Sequence, residues 1–206
     1  MDFKTEQEKF WAEDFGNSYI ERNKGEECLA SDLIFFSKTF NHIGKINSVI
    51  EFGANIGLNL KAIKLLFPKI QLFGIEINKQ ASIELSNVIG SENIFNGSIF
   101  DYEPKKKFAL SLIKGVLIHI NPNMLNNVYE KLYNSSSKYI LICEYYNPSP
   151  VTVNYRGHSE RLFKRDFAGE MLEKYNDLKL VDYGFCYKRD NAFPQDDVTW
   201  FLLEKC

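Results

Sequence analysis

A mostly parallel sheet of seven strands with helices on both faces is the α/β fold that the sequence predicts, and three observations predict it. From residue 48 onward, short apolar runs alternate with stretches whose apolar residues recur at helical spacing. A glycine-bearing turn, Glu51-Phe52-Gly53-Ala54-Asn55-Ile56-Gly57, separates the first run from the first of those stretches. The composition is that of an ordinary globular chain: 206 residues, 45% hydrophobic and 25% charged, with 17 Phe and 11 Tyr. That length suits one domain with a full core, and that aromatic content excludes disorder and collagen-like repetition. Strands alternating with helices imply a parallel sheet buried on both sides.

Each element has its own signal. Residues 1–40 precede the alternation and read as a helical N-terminal cap, with Phe10, Trp11, Phe15 and Tyr19 spaced to share an apolar side. Such a cap either completes the core or covers a ligand. The alternating core occupies residues 45–206. Ser48 to Phe52 is the first strand, and Leu58 to Phe67 is a helix stopped by Pro68. Gln71 to Ile77 and Asn93 to Phe95 are strands flanking a helix over Lys79 to Ile89, and the turn Asn96-Gly97 follows. Phe108 to Ile113 is the fourth strand. Pro122 sits where a helix begins, Met124 to Tyr133 continues it, and Tyr139 to Cys143 is the fifth strand. Asn147 to Arg161, with two prolines and Gly157, reads as an irregular polar stretch. A helix near Lys164 to Tyr175 and strands near Leu178 to Tyr187 and Val198 to Leu203 complete the order.

Charge and cysteine usage exclude several classes of function. The 25 Lys and Arg against 27 Asp and Glu give a net charge of -2, so no global field draws the chain to nucleic acid or an anionic membrane. Cys28, Cys143, Cys186 and Cys206 form no CxxC pair and have no histidine beside them, which argues against a disulfide framework or a metal site. No window approaches the ~18 apolar residues of a membrane span, and the N-terminus has no basic leader. A cytoplasmic protein, monomer or homodimer, with a small-molecule partner is expected.

In doubly wound sheets ligands lie beyond the carboxyl ends of the strands, which directs attention to the Gly53 to Gly57 turn. Glu76 ends the second strand, 25 positions after Glu51. At that separation a carboxylate reaches the paired hydroxyls of a ribose. Glu51 then selects among nucleosides, because a carboxylate at the mouth of the turn repels a pyrophosphate. S-adenosylmethionine carries an adenosine without a phosphate, and its sulfonium and ammonium are attracted by such a carboxylate. A nicotinamide dinucleotide is disfavoured on the same ground.

Across roughly residues 45–206 the sequence resembles the Rossmann-like class I S-adenosylmethionine-dependent methyltransferases. Glu51, Gly53, Asn55 and Gly57 stand where that family has its glycine-rich motif, and Glu76 followed by Ile77 where it has the ribose acid. Asn96-Gly97-Ser98-Ile99 matches the loop flanking the adenine. Lys114-Gly115-Val116-Leu117-Ile118-His119-Ile120 matches the fourth motif, which implies cofactor roles for Ser98, Ile99, Lys114 and Leu117. The resemblance also implies a last strand inserted antiparallel beside its predecessor. Asn55 replaces the usual middle glycine, a residue type that tolerates unusual backbone angles. Phe108-Ala109 stands where many relatives carry an acid.

Over nearly the whole chain the sequence resembles the small methyltransferases associated with pseudaminic acid biosynthesis and flagellar glycans in bacteria. The residues that carry this are Phe10-Trp11, Phe15 to Asn23, Lys114 to Pro122, Glu144 to Pro150 and Tyr155 to Phe167. By this resemblance Tyr19, Arg22 and Asn23 lie near the methionine carboxylate of the cofactor.

On the acceptor side, methyl transfer is an in-line displacement governed by positioning, with a base needed for an oxygen nucleophile. His119 after the fourth strand, Glu144 and Tyr145 at the end of the fifth, and His158 in the long polar stretch are the catalytic candidates. Tyr146, Tyr155, Arg156 and Arg161 are candidates for binding an anionic acceptor, the arginines as a guanidinium clamp. A nonulosonic acid, its precursor or its activated form is the expected acceptor, methylated on oxygen or nitrogen. A protein or RNA acceptor, or a cofactor-binding protein without transfer, are the alternatives.

Overall fold

The computed structural model of the chain describes residues 3–22 and 25–206. The chain opens with helix α1 (Glu6–Ala12), whose N-terminus is closed by a capping box: the Thr5 hydroxyl accepts from the Glu8 N–H while the Glu8 carboxylate accepts from the Thr5 N–H. A break at Glu13 leads into α2 (Asp14–Arg22), and α3 (Glu26–Thr39) follows. The alternating part then runs β1 (Ser48–Phe52), α4 (Leu58–Leu66), β2 (Gln71–Glu76), α5 (Lys79–Ile89), β3 (Ile94–Asn96), β4 (Phe108–Lys114), α6 (Leu125–Ser135) and β5 (Ser136–Glu144). It continues with β6 (Val151–Tyr155), β7 (His158–Lys164), α7 (Phe167–Lys174), β8 (Leu178–Phe185) and β9 (Thr199–Lys205).

Seven strands form one sheet in the order β3-β2-β1-β4-β5-β9-β8. The first five are parallel, and β9 is antiparallel to both its neighbours, as the resemblance implied. Alternate residues of each strand enter different cores. Ile50, Phe52, Ile113, Ile140 and Ile142 pack with Leu125, Val128 and Leu132 of α6 and Phe167 and Met171 of α7. Val49, Leu110, Leu112, Leu141 and Trp200 pack with Phe35 and Phe36 of α3, Leu60 and Ile63 of α4 and Leu85 of α5. This two-sided burial is why the strands read as continuous apolar runs.

Two expectations change. The stretch Asn147 to Arg161 is not irregular through its length: β6 and β7 form an antiparallel hairpin with Tyr155 opposite His158. Its two-residue turn, Arg156 at φ 50° and Gly157 at φ 85°, has the paired positive φ angles that match the twist of a hairpin. Nor is the N-terminal region a uniform cap. Its third helix supplies Phe35 and Phe36 to the second core and Ser31 and Asp32 to the cavity wall, while α1 and α2 lie over the strand ends. Among the described residues no helix is long and apolar enough to cross a membrane.

Candidate active site

Beyond the carboxyl ends of β1, β2 and β4 the chain surrounds a cavity of about 520 Å³. Its floor is the turn after β1, its roof is α1 and α2, and the segment between β8 and β9 closes one side with Lys188, Pro194, Gln195, Asp196 and Val198. The turn is strapped to β2 by the N–H groups of Gly53 and Ala54, which both donate to the Ile75 carbonyl at 2.9 Å. Asn55 takes φ 48° and Gly57 φ 84°, so asparagine supplies a left-handed conformation within this turn. A Cβ on Gly57 would meet Leu85 Cδ1 at 2.6 Å.

Glu76 ends β2 on the cavity wall, buried, with its charge disfavoured by burial. Oε2 accepts from the Asn55 N–H and Oε1 from the Asn78 N–H, both at 2.7 Å. These bonds fix the carboxylate's plane and leave it able to accept from a ligand. Asn78 in turn caps α5 and sends its amide to the carbonyls of Trp11 and Ala12 and to Asn17 Oδ1, pinning α1 and α2 above the site. Ile77, Ser98 and Ile99 line the adjoining wall.

Glu51 is placed differently from the expectation. It is fully buried behind the turn and off the cavity wall. Its Oε1 accepts from Asn59 Nδ2 at 2.6 Å, its Oε2 has no partner among the described residues, and burial raises its pKa to about 8. Burial thus favours its neutral form, and its place behind the turn keeps it from meeting a ligand. The acid that reaches the cavity here is Asp32 of α3, whose Oδ1 pairs with Lys114 Nζ at 2.8 Å and accepts from Gln195 Nε2 at 3.2 Å. Lys114 also donates to Asn59 Oδ1 at 3.1 Å. Burial opposes the lysine's charge, but Asp32 keeps its pKa above the ordinary value.

The acceptor-side candidates divide. His119 lies on the cavity wall, in ring contact with Trp11 and Tyr155 at 4.6 and 5.0 Å. Its Nδ1 is 2.6 Å from the Arg161 carbonyl, so Nδ1 carries the proton and Nε2 the lone pair; burial lowers its pKa to about 4. Tyr19 also lines the cavity. Tyr145 stands just outside it near Asp196, and burial raises its pKa.

Glu144 faces away from the acceptor space. Its Oε1 accepts from the N–H groups of Val116 and Leu117 at 2.9 Å, which makes it the clamp of the loop after β4. Leu117 is buried in the first core rather than on the cavity wall. Tyr146 is 41% exposed against Phe201. Tyr155 packs on Phe15 and His119, with the exposed Arg156 over its outer side. His158 touches Phe10 and Phe15, and the Arg161 guanidinium lies over Phe10, 3.9 Å from Glu6. The hairpin thus splits the expected arginine clamp: Arg156 is exposed at the turn, whereas Arg161 packs on Phe10 of α1. Arg22 is the last residue of α2, and Asn23 lies outside the described residues.

Sequence reading missed Gln7, Glu8, Asp32, Asn59, Gln195 and Asp196, all on the cavity wall. Asn59 alone had a local signal, as the second residue of the helix after Gly57. The others come from segments distant in sequence. Among the described residues no group of three His, Cys, Asp or Glu is placed to hold a metal ion.

No protein-family model matches the sequence, and no curated protein does. Solved structures match the fold. A 1,6-didemethyltoxoflavin-N1-methyltransferase from Burkholderia thailandensis, with its acceptor and S-adenosylhomocysteine bound, superposes with a TM-score of 0.73 at 15% identity, over 100% of this chain and 91% of that one. A magnesium protoporphyrin IX methyltransferase from Synechocystis with bound S-adenosylhomocysteine gives 0.68 at 11% identity, over 97% and 98%. An S-adenosylmethionine-dependent methyltransferase from Clostridium acetobutylicum gives 0.64 at 13%, over 93% and 97%. The chain has the class I methyltransferase fold.

Proposed function

We propose that this protein is an S-adenosylmethionine-dependent methyltransferase acting on an oxygen or nitrogen of a small acceptor. The observation that carries the reading is Glu76. It is a carboxylate oriented by two backbone N–H groups on the wall of a cavity of about 520 Å³, beside a turn tight enough to need Gly57. Two ribose hydroxyls can donate to it. The rest of the wall suits a nucleoside without phosphates. Glu8, Asp32, Glu76 and Asp196 face the cavity, while its cations among the described residues are Lys114, paired to Asp32, and Lys188, beside Asp197.

When bound, the cofactor supplies an electrophilic methyl group on a sulfonium. The chain's residues position and exclude water. Asp32, Asn59 and Lys114 form the polar end suited to the amino-acid portion, and Ile77, Ser98 and Ile99 the end suited to the base. Trp11, Tyr19 and His119 cover the space between the loop after β4 and the cap. His119, held neutral, can accept a hydrogen bond through Nε2, and Asp196 on the cavity wall is a carboxylate that can take a proton from the acceptor.

An acceptor in nonulosonic acid or flagellar glycan biosynthesis is the finer reading, supported by sequence resemblance. Arg156 and Arg161 lie outside the cavity wall, so an anionic group of the acceptor would meet the exposed Arg156 at the hairpin turn while the methylated atom sits inside. Calorimetric titration with S-adenosylmethionine, S-adenosylhomocysteine and NADH tests the cofactor. Binding of the first two alone is expected, and binding of NADH instead overturns it. Glu76→Ala should weaken S-adenosylhomocysteine binding by about 1.5 to 3 kcal/mol, the loss of two charge-assisted bonds; an unchanged Kd rejects the ribose assignment.

A further inference from the structure

Toward the loop after β4 the cavity is walled by rings and a carboxylate. Tyr19, Trp11 and His119 stand in succession on the wall with ring centroids 5.2 and 4.6 Å apart, and Tyr155 adjoins His119 at 5.0 Å. Tyr145 stands behind them, within electrostatic reach of Tyr19, Tyr155 and Asp196. Asp196 is on the wall and exposed, and among the described residues no cation pairs with it, because the neighbouring Lys188 goes to Asp197 at 3.4 Å. One ring already carries a cation: Lys164 Nζ lies 5.1 Å from the centroid of Tyr145. The other lysine of the wall, Lys114, is held by Asp32, and among the described residues no arginine lines the cavity. Ring faces beside an unpaired carboxylate attract positive charge and repel negative charge.

These groups suit a nitrogen acceptor better than an oxygen one. A hydroxyl needs a base to draw off its proton as it reacts. His119 is the one imidazole on the wall among the described residues; with its Nδ1–H on the Arg161 carbonyl and its pKa lowered by burial to about 4, its Nε2 is a weak base. An amine brings its own lone pair. Resting on the reading that the cavity takes S-adenosylmethionine, we propose that the acceptor is a primary or secondary amine, held by Asp196 through its N–H and by the faces of Trp11 and Tyr19, and released as an N-methylammonium. The amine enters uncharged and its lone pair forms the bond to the methyl carbon. The carbon–sulfur bond breaks with its electron pair left on sulfur, and the positive charge passes to nitrogen, whose surplus proton leaves to water by way of Asp196. Charge thus develops at the atom that the carboxylate and the rings surround, where fixed groups stabilise it most.

The test uses the full chain saturated with S-adenosylhomocysteine, its binding measured by calorimetry, and two probes of one shape. Choline carries a methylated ammonium like that of the product, and 3,3-dimethylbutan-1-ol is its uncharged carbon isostere. Each has a single strong methyl resonance, whose broadening on titration gives a Kd by NMR. Choline should bind about tenfold or more tighter than the alcohol, and Asp196→Asn should bring the ratio to within about threefold while S-adenosylhomocysteine binds as before. Equal binding of the two probes to the wild type overturns the amine assignment and leaves the cofactor reading standing. A ratio that Asp196→Asn leaves at the wild-type value overturns it as well. So does a variant that also loses affinity for S-adenosylhomocysteine, since Asp196 then serves the cofactor. If the wild type binds no S-adenosylhomocysteine, both readings fall.

Discussion

Three buried groups, Glu51, Glu144 and His119, have no ion pair among the described residues and set the pH response of the fold in opposite directions. Burial raises Glu51 to about 8 and Glu144 to about 7 from an ordinary 4.5. Between those limits the folded chain keeps protons that the unfolded chain releases, so their contribution is full below pH 4.5 and is lost as pH rises through 7 to 8. His119, lowered from 6.5 to about 4, acts the other way: its contribution is full above 6.5 and is lost as pH falls through 4. Replacing Glu51 by Gln should therefore remove part of the alkaline loss, on the order of a few kcal/mol between pH 5 and 8. Thermal melts at stepped pH check this, and parallel curves for the variant and the wild type would show that Glu51 is not held protonated. At this scale the sequence pointed to the β1 turn and the end of β2, which the fold brings to the cavity, because their positions follow from local spacing. It could not identify Asp32 or Glu8, whose meaning comes only from the strand ends they are folded against, and it overvalued Glu51, whose burial depends on Asn59 and Lys114.

The elements that were legible are those with internal periodicity. The helix over residues 79–89 and the first strand appear where spacing placed them, since Asn78 caps the one and a continuous apolar run makes the other. The β6–β7 hairpin was obscured because its turn is Arg156-Gly157, a weaker signal than Asn-Gly, and because Val151 and Val153 are exposed. The cap's aromatic side was legible, but not its division at Glu13 into two helices. Gly16 is where those helices meet most closely: a Cβ there would lie 1.9 Å from the Trp11 carbonyl oxygen and 2.8 Å from Asn78 Nδ2. Gly16→Ala should lift α2 from α1 at a cost of about 1 to 3 kcal/mol. The check is a red shift of Trp11 emission in Trp200→Phe background with the far-ultraviolet signal of the sheet retained; unchanged emission would mean that the cap accommodates the methyl group.

At the scale of the whole molecule, the two tryptophans report on different bodies of packing. Trp11 belongs to the aromatic cluster of the cap, in edge contact with Phe15 and Tyr19 at 5.2 Å, whereas Trp200 is 2% exposed within the second core. The cap rests on the sheet domain through Asn78, Ser98, the hairpin and a small separate cluster of Ile20 with Ile56 and Ala81, rather than through either large core. Denaturant should accordingly change Trp11 emission before Trp200 emission, read in the two single-tryptophan variants, and coincident curves would make cap and sheet one cooperative unit. The placement of β9 between β5 and β8 has its consequence on the ribosome. Strands β1 to β5 can pair as they emerge, but β8 is synthesised with no neighbour to join, and β5 keeps a bare hydrogen-bonding edge until β9 follows. For that interval the nascent chain carries an unfinished sheet beside Ile140 and Ile142, and a stall between residues 186 and 198 would prolong the exposure of the surface that chaperones bind and that aggregation begins from.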